Sequence, residues 1–233
     1  MREPDGGQPL ELVARALVLA CGVWDIPVRL PCPGAELPHV ISRFTEPTEY
    51  FDEPVLVVGG GNSAVYAALT LAEAHAKVTF AMRREPVAGQ SHLRPFVVRD
   101  LEMAVADGRL KLLTGVIVTR IEPARAWMQP VEYDAEHPSG GRPNGTPFEL
   151  PARFVFALLG QRPDGEIMGL LGLEQTADGR PVQNSETYET LSPNVWTAGS
   201  LAGPKIDIII TARTQTAGVV QRVADRLGGK ESR

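Results

Sequence analysis

The chain has 233 residues, with 23 Lys and Arg against 28 Asp and Glu, and a net charge of −5. Its basic residues are dispersed, which argues against nucleic acid as a partner, and no apolar run approaches the ~20 residues needed to span a membrane. The length allows one large or two small buried cores, and the polar residues 1–8 carry no signal-peptide core, so the expected location is cytoplasmic.

In chain order, residues 14–22 read as an apolar strand ending in the small-residue turn Ala20-Cys21-Gly22. Residues 28–40 are rich in Pro and Gly and contain Pro33-Gly34-Ala35-Glu36. Four apolar residues, 55–58, then lead into Gly59-Gly60-Gly61-Asn62-Ser63-Ala64. An amphipathic segment follows, with Val65, Leu69, Ala72 and Ala76 at helical spacing, and then a second apolar run at 77–82. Strand, glycine turn, helix and strand in this order form the dinucleotide-binding fingerprint G-x-G-x-x-A in the context it requires. Gly59 permits the tight turn, and Gly60 and Gly61 let the backbone approach a pyrophosphate. Ala64 is small enough for close helix–strand packing. Amides near Asn62 and Ser63 face the phosphates at the positive end of the helix dipole. The bland alternative is a glycine turn before a helix that binds nothing.

An NAD-binding unit places Asp or Glu about 20 residues after the glycines, on the ribose 2′-hydroxyl. Residues 79–84 contain no acid and end in Arg83-Arg84. A guanidinium pair at the tip of the second strand suits a 2′-phosphate, which favours NADPH over NADH; the alternative is a solvated surface pair.

Residues 110–120 read as another strand, and 127–133 as its hairpin partner. The turn residues of 134–146 make that stretch a loop. Residues 154–159 form a return strand followed by Gly160-Gln161-Arg162-Pro163, and 192–200 end in Ala198-Gly199-Ser200 ahead of a helix over about 208–227. Cys21 and Cys32 lie outside C-x-x-C spacing, and neither is expected to be a redox centre. His39, His75, His92 and His137 show no metal spacing, so no metal site is expected. His92 is placed near the nicotinamide lobe or, more simply, on the surface. No Ser-His-Asp order supports a triad, and no side chain reads as a catalytic acid, base or nucleophile.

These segments together resemble the two-dinucleotide-binding-domain flavoprotein disulfide reductases of the low-molecular-weight thioredoxin reductase type. More narrowly, they resemble the bacillithiol-disulfide-reductase-like proteins. The resemblance rests on Ala20-Cys21-Gly22, Pro33-Gly34, Gly59 to Ala64 with Arg83-Arg84, Gly160 to Pro163, and Ala198-Gly199-Ser200, with further likeness at 38–50 and 91–96. It implies an α/β fold: a Rossmann-like NAD(P)-binding domain inserted in a truncated FAD-binding domain of the three-layer ββα type. The implied organisation is a first FAD-domain segment at 1–45, the NAD(P)-binding domain at 46–157 and a second FAD-domain segment at 158–233. The resemblance also places Gly160 at the nicotinamide-side junction, and Gly199 and Ser200 along a flavin.

Several positions depart from the family pattern. No second G-x-G-x-x-G occurs in the chain, so the flavin pyrophosphate loop is expected to be missing and the chain alone is expected to be colourless with added FAD. Ser200 stands where the family has Asp. Met82 stands where thioredoxin reductases have His, and the motif's further arginine falls on Ala88, with Arg94 nearby. Two functions stay open. One is an NADPH- and FAD-dependent oxidoreductase in truncated form. The other is a non-catalytic NADP(H)-binding remnant, or a subunit completed by a second copy or a complementary chain. The reducible substrate is not legible in the residues.

Overall fold

The computed structural model describes residues 12–24, 26–85, 93–134, 136–137, 140–203 and 208–228, the side chains of 208–211 apart. Its contacts divide the chain into two compact units, one of residues 27–160 and one of residues 1–26 with 161–233. The elements in chain order begin with β1 (Leu17–Leu19), β2 (Ile26–Pro27), β3 (Val40–Ile41), β4 (Pro54–Val58), α1 (Asn62–Glu73) and β5 (Lys77–Met82). Then come α2 (Pro95–Ala106), β6 (Lys111–Thr114), β7 (Val116–Glu122), β8 (Arg125–Tyr133), β9 (Gly141–Pro143), β10 (Phe148–Pro151) and β11 (Phe154–Ala157). The last are β12 (Gln161–Arg162), α3 (Gly165–Leu170), β13 (Val195–Thr197) and α4 (Ile208–Gly228).

The unit of 27–160 is built on a parallel sheet of order β3-β11-β4-β5-β6. Its central strands are apolar at nearly every position because both faces are covered, as parallel strands require. Val55, Val57, Val78, Phe80 and Phe156 meet α1 and α2 on one face. Leu56, Val58, Ala81, Val155 and Ala157 meet Val118, Ile121, Ala126, Met128 and Leu150 of the antiparallel strands on the other. Those strands run in the order β10-β8-β7, with β9 also on β8. The unit is therefore layered as helices, parallel sheet and antiparallel strands, with the strand–turn–helix–strand order expected of a Rossmann-like domain.

α1 ends in a Schellman motif: His75 has φ 62°, its N–H donates to the Ala72 carbonyl, and the Ala76 N–H donates to the Leu71 carbonyl. Ala76, expected on the helix face, is thus the buried residue just past the helix end. The single strand expected over 110–120 is broken into β6 and β7 by Gly115. Gly115 has φ 63°, and its carbonyl accepts from the Val131 N–H at 2.7 Å, so the chain leaves the parallel sheet there and enters the antiparallel one. The expected loop over 134–146 contains β9, whose register with β8 pairs Val131 with Pro143. Pro is tolerated there because β9 is a short outer strand. The domain boundary expected at 45 and the division at 27 differ, because β3 pairs with β11 and the Pro33-Gly34 loop packs on β7 within this unit. The Ile121 N–H donates to the Pro33 carbonyl at 3.0 Å, and a Cβ on Gly34 would stand 2.1 Å from the Ile121 carbonyl oxygen.

In the second unit, β1 pairs in parallel with β13, from Leu17 with Val195 to Leu19 with Thr197. The strand expected over 14–22 is confined to these three residues. Leu19, Val23, Met168, Leu173 and Leu201 form its apolar cluster. Near the C-terminal end of α4, the Arg226 guanidinium donates to the Glu189 carboxylate at 3.2 Å and lies 5.8 Å from the Trp196 ring centre.

Candidate functional site

The glycine turn leaves β4 at the point where strand order reverses. From β4 the chain moves to β5 and β6 on one side, and later returns to β11 on the other. Ligands in open α/β sheets bind outside the C-terminal strand ends at such a switch point. A Cβ on Gly59 would lie 2.6 Å from the Ala64 Cβ and 2.6 Å from the Leu158 carbonyl oxygen, so only glycine fits beside a small residue at 64. Around Gly60 and Gly61 the space is open, with nothing within 4 Å of an added Cβ. Gly61 is the N-cap of α1 and makes no side-chain cap hydrogen bond, which leaves the helix N-terminus facing that space. Ser63 lies in the first turn of α1. The Asn62 side chain points elsewhere: its Oδ1 accepts from the Arg94 N–H at 3.1 Å and fastens the start of α2 to the turn. The backbone at Arg94 is thereby carried back to the glycine turn. His92, Ser91 and Ala88 lie outside the described residues.

A cavity of about 710 Å³ opens at these strand ends. Its walls include Arg29, Gly59, Gly60, Arg83, Arg84 and Thr119, and Glu85 beside the arginines. The two arginines at the tip of β5 share one support, with guanidinium carbons 5.6 Å (Arg83) and 4.5 Å (Arg84) from the Tyr133 ring centre. Arg83 also lies against Gly140, where an added Cβ would fall 2.0 Å from its Nη1. Tyr133 therefore presents two cations to one place and limits their rotamers. Glu85 follows the arginines directly and accepts from the Thr114 hydroxyl at 3.4 Å. On the other side of the turn, the Gly160 carbonyl accepts from the Val28 N–H at 3.0 Å and sets the segment bearing Arg29 beside the end of β11. Arg29, Glu85 and Tyr133 carry no motif signal. Only Glu85 was within reach of sequence reasoning, one residue past the window read for a ribose acid.

These features fit a dinucleotide: a cradle that a Cβ would fill, an uncapped helix N-terminus and a cationic rim. Cys32 sits just beyond the cavity wall, where burial and the nearby Glu36 carboxylate push its thiol pKa up and keep it protonated. Neither cysteine is in a disulfide. Among the described residues, no group of His, Cys, Asp or Glu could hold a metal ion, and no helix is long and apolar enough to cross a membrane.

Gly199 and Ser200 belong to the second unit and follow β13 in a 3-10 turn, Gly199–Leu201. The Ala198 N–H donates to the Leu19 carbonyl at 2.9 Å, which sets this turn beside the end of β1. There a Cβ on Gly22 would lie 3.4 Å from the Ser200 Oγ. Arg180, absent from the sequence reading, holds the turn from within. Its Nη1 donates to the carbonyls of Ser200 at 2.6 Å and Leu201 at 3.1 Å, and also to that of Gly203. Gln183 donates to the Ala202 carbonyl at 2.6 Å and accepts from the Thr197 hydroxyl.

The model of the pyridine nucleotide-disulphide oxidoreductase family matches residues 8–199. The chain belongs to this family. It is 33% identical over 186 residues to the bacilliredoxin reductase Bdr of Bacillus subtilis, covering 79% of this chain and 53% of that protein. It is 28% identical to a ferredoxin–NADP reductase of Ignicoccus hospitalis, covering 89% of this chain and 63% of that protein. The chain thus spans roughly half to two thirds of the length of these relatives. Its fold matches the bacillithiol disulfide reductase Bdr of Bacillus cereus at TM-score 0.77 and 28% identity, over 91% of this chain and 62% of that one. The thioredoxin reductase of Lactococcus lactis matches at TM-score 0.71 and 18% identity, over 94% and 68%, a likeness of fold alone. The cavity of this pyridine nucleotide-disulphide oxidoreductase relative lies wholly within residues 28–159.

Proposed function

We propose that the unit of residues 27–160 binds NADPH in preference to NADH, and that the chain serves an FAD-dependent oxidoreductase of the thioredoxin-reductase-like type. The observation that carries the nucleotide reading is the Gly59 cradle at the strand-order switch point, beside an uncapped helix N-terminus. In this reading Gly59, Gly60 and Gly61 admit the pyrophosphate, Ser63 and Ala64 shape the first turn of α1, and Asn62 fixes the neighbouring chain. Arg83 and Arg84, steadied on Tyr133, hold the 2′-phosphate. Gly160 shapes the nicotinamide side, while Gly199 and Ser200 line the flavin in the other unit. The chemistry supplied by the bound cofactors would be hydride transfer from nicotinamide to flavin, and the chain's own part is binding and orientation.

One observation favours NADH as the second reading: Glu85 lies in the cavity wall, where a carboxylate could accept from a ribose 2′-hydroxyl. Calorimetric titration separates the two. A charge-assisted hydrogen bond is worth about 1.5–3 kcal/mol, so NADPH is expected to bind roughly tenfold tighter than NADH or better. Replacing Arg83 and Arg84 together by Ala removes that preference, and Tyr133→Ala reduces it in part. Equal affinities in the unaltered chain sink the preference. Flavin reduction is read separately, as loss of the oxidised flavin band when NADPH is added anaerobically to protein and FAD. NADPH binding without bleaching leaves a nucleotide-binding module as the function of this chain.

A further inference from the structure

We infer that Arg29 is a second cationic anchor of this site, holding the nicotinamide-side phosphate of the dinucleotide; the inference rests on the NADPH-binding reading above. The strand order β11-β4-β5 sets the layout. Arg83 and Arg84 at the β5 tip fix the adenosine end, so the remainder of an extended dinucleotide passes over Gly59–Gly61 toward β11. Neighbouring strands lie about 4.8 Å apart, which puts the β11 tip roughly 10 Å from the β5 tip.

Two contacts tie Arg29 to the β11 side. The Leu158 carbonyl is the group that abuts Gly59, with its oxygen 2.6 Å from an added Cβ. Two residues on, the Gly160 carbonyl accepts from the Val28 N–H at 3.0 Å. Arg29 is the next residue, it is exposed, and it lines the same cavity as Gly59 and Gly60. Among the described residues it makes no hydrogen bond, ion pair or ring contact. The cavity's carboxylate, Glu85, is engaged by Thr114 instead. Three guanidinium groups against one carboxylate give the wall a net positive charge, at two separated places. A phosphate group at the glycine turn would complete the pairing of Arg29, and the planar fork favours two contacts at once.

The test is calorimetric titration of NADPH, NADH and 2′,5′-ADP, the last carrying only the adenosine half. Arg29→Ala is expected to weaken both dinucleotides by the same factor, on the order of tenfold, and to leave 2′,5′-ADP unchanged. Arg29→Lys should recover part of the loss. The Arg83→Ala, Arg84→Ala double variant gives the opposite pattern, weakening 2′,5′-ADP and NADPH and sparing NADH. An unchanged thermal unfolding curve for Arg29→Ala confirms that the variant is folded. Wild-type affinity for NADPH in Arg29→Ala overturns the anchor and leaves the nucleotide reading standing, as does an equal loss of 2′,5′-ADP. No binding of either dinucleotide to the unaltered chain removes both.

Discussion

The two units hold their candidate ligand loops by different means. In residues 27–160 the glycine turn is framed by apolar packing: β4, β5 and β11 are covered on both faces, and the glycines fit by steric exclusion. In the other unit the apolar cluster is Leu19, Val23, Met168, Leu173 and Leu201, while Leu17, Val18, Leu170 and Leu191 are exposed. There the turn at 199–203 is fastened by side-chain donors, chiefly Arg180 and Gln183. Steric packing fixes shape without regard to pH. A network of charged and polar side chains fixes it only while each group keeps its charge and its partner.

The largest expected effect is on the packed side. Gly34→Ala combines a left-handed φ of 88° with a Cβ 2.1 Å from a carbonyl oxygen, so it should destabilise by about 3 kcal/mol or more in urea denaturation. Gly108→Ala is the control, because φ is 68° but nothing lies within 4 Å; its cost should be about 1 kcal/mol. Equal costs for the two would break the claim that packing dominates in this unit. A middling effect is expected from Arg180→Ala, whose side chain is 14% exposed and serves three carbonyls. About 2 kcal/mol should be lost, read from the fluorescence of buried Trp196 in a background lacking the other two tryptophans. A midpoint within error of the parent would mean that the turn is held by something other than these donors.

The smallest effect concerns pH. Partial burial disfavours the charged form of Asp178, but the Thr176 hydroxyl and the Arg180 guanidinium outweigh it and hold the carboxyl below its ordinary value. A carboxylate with a depressed folded pKa stabilises above its unfolded value and loses that contribution as pH falls through the folded one. Asp178→Asn should therefore lower the Trp196 unfolding midpoint near neutral pH, and the difference should shrink as pH falls below the ordinary carboxylate value. A difference that stays constant with pH would show that the charge is irrelevant to this turn.

What the residues determined by themselves was the part whose physics is local. Residues 54–82 carry strand, glycine turn, helix and strand within one short stretch, so the apolar spacing and the glycines were enough to place Gly59 to Ala64 and Arg83-Arg84. The antiparallel partner at 127–133 was legible for the same reason, since the hairpin is closed by neighbours in sequence. Only the tertiary structure brought Tyr133 beneath two arginines some fifty residues earlier, set Arg29 at the rim through the bond from the preceding Val28 N–H to the Gly160 carbonyl, and pressed Gly34 against Ile121. Gly115 as the switch from β6 to β7, and Arg180 beneath the 199–203 turn, were decided there as well. Each of these depends on which strand lies beside which, and that order is fixed by burying both faces of the parallel sheet at once, a condition on the whole unit that no local pattern encodes.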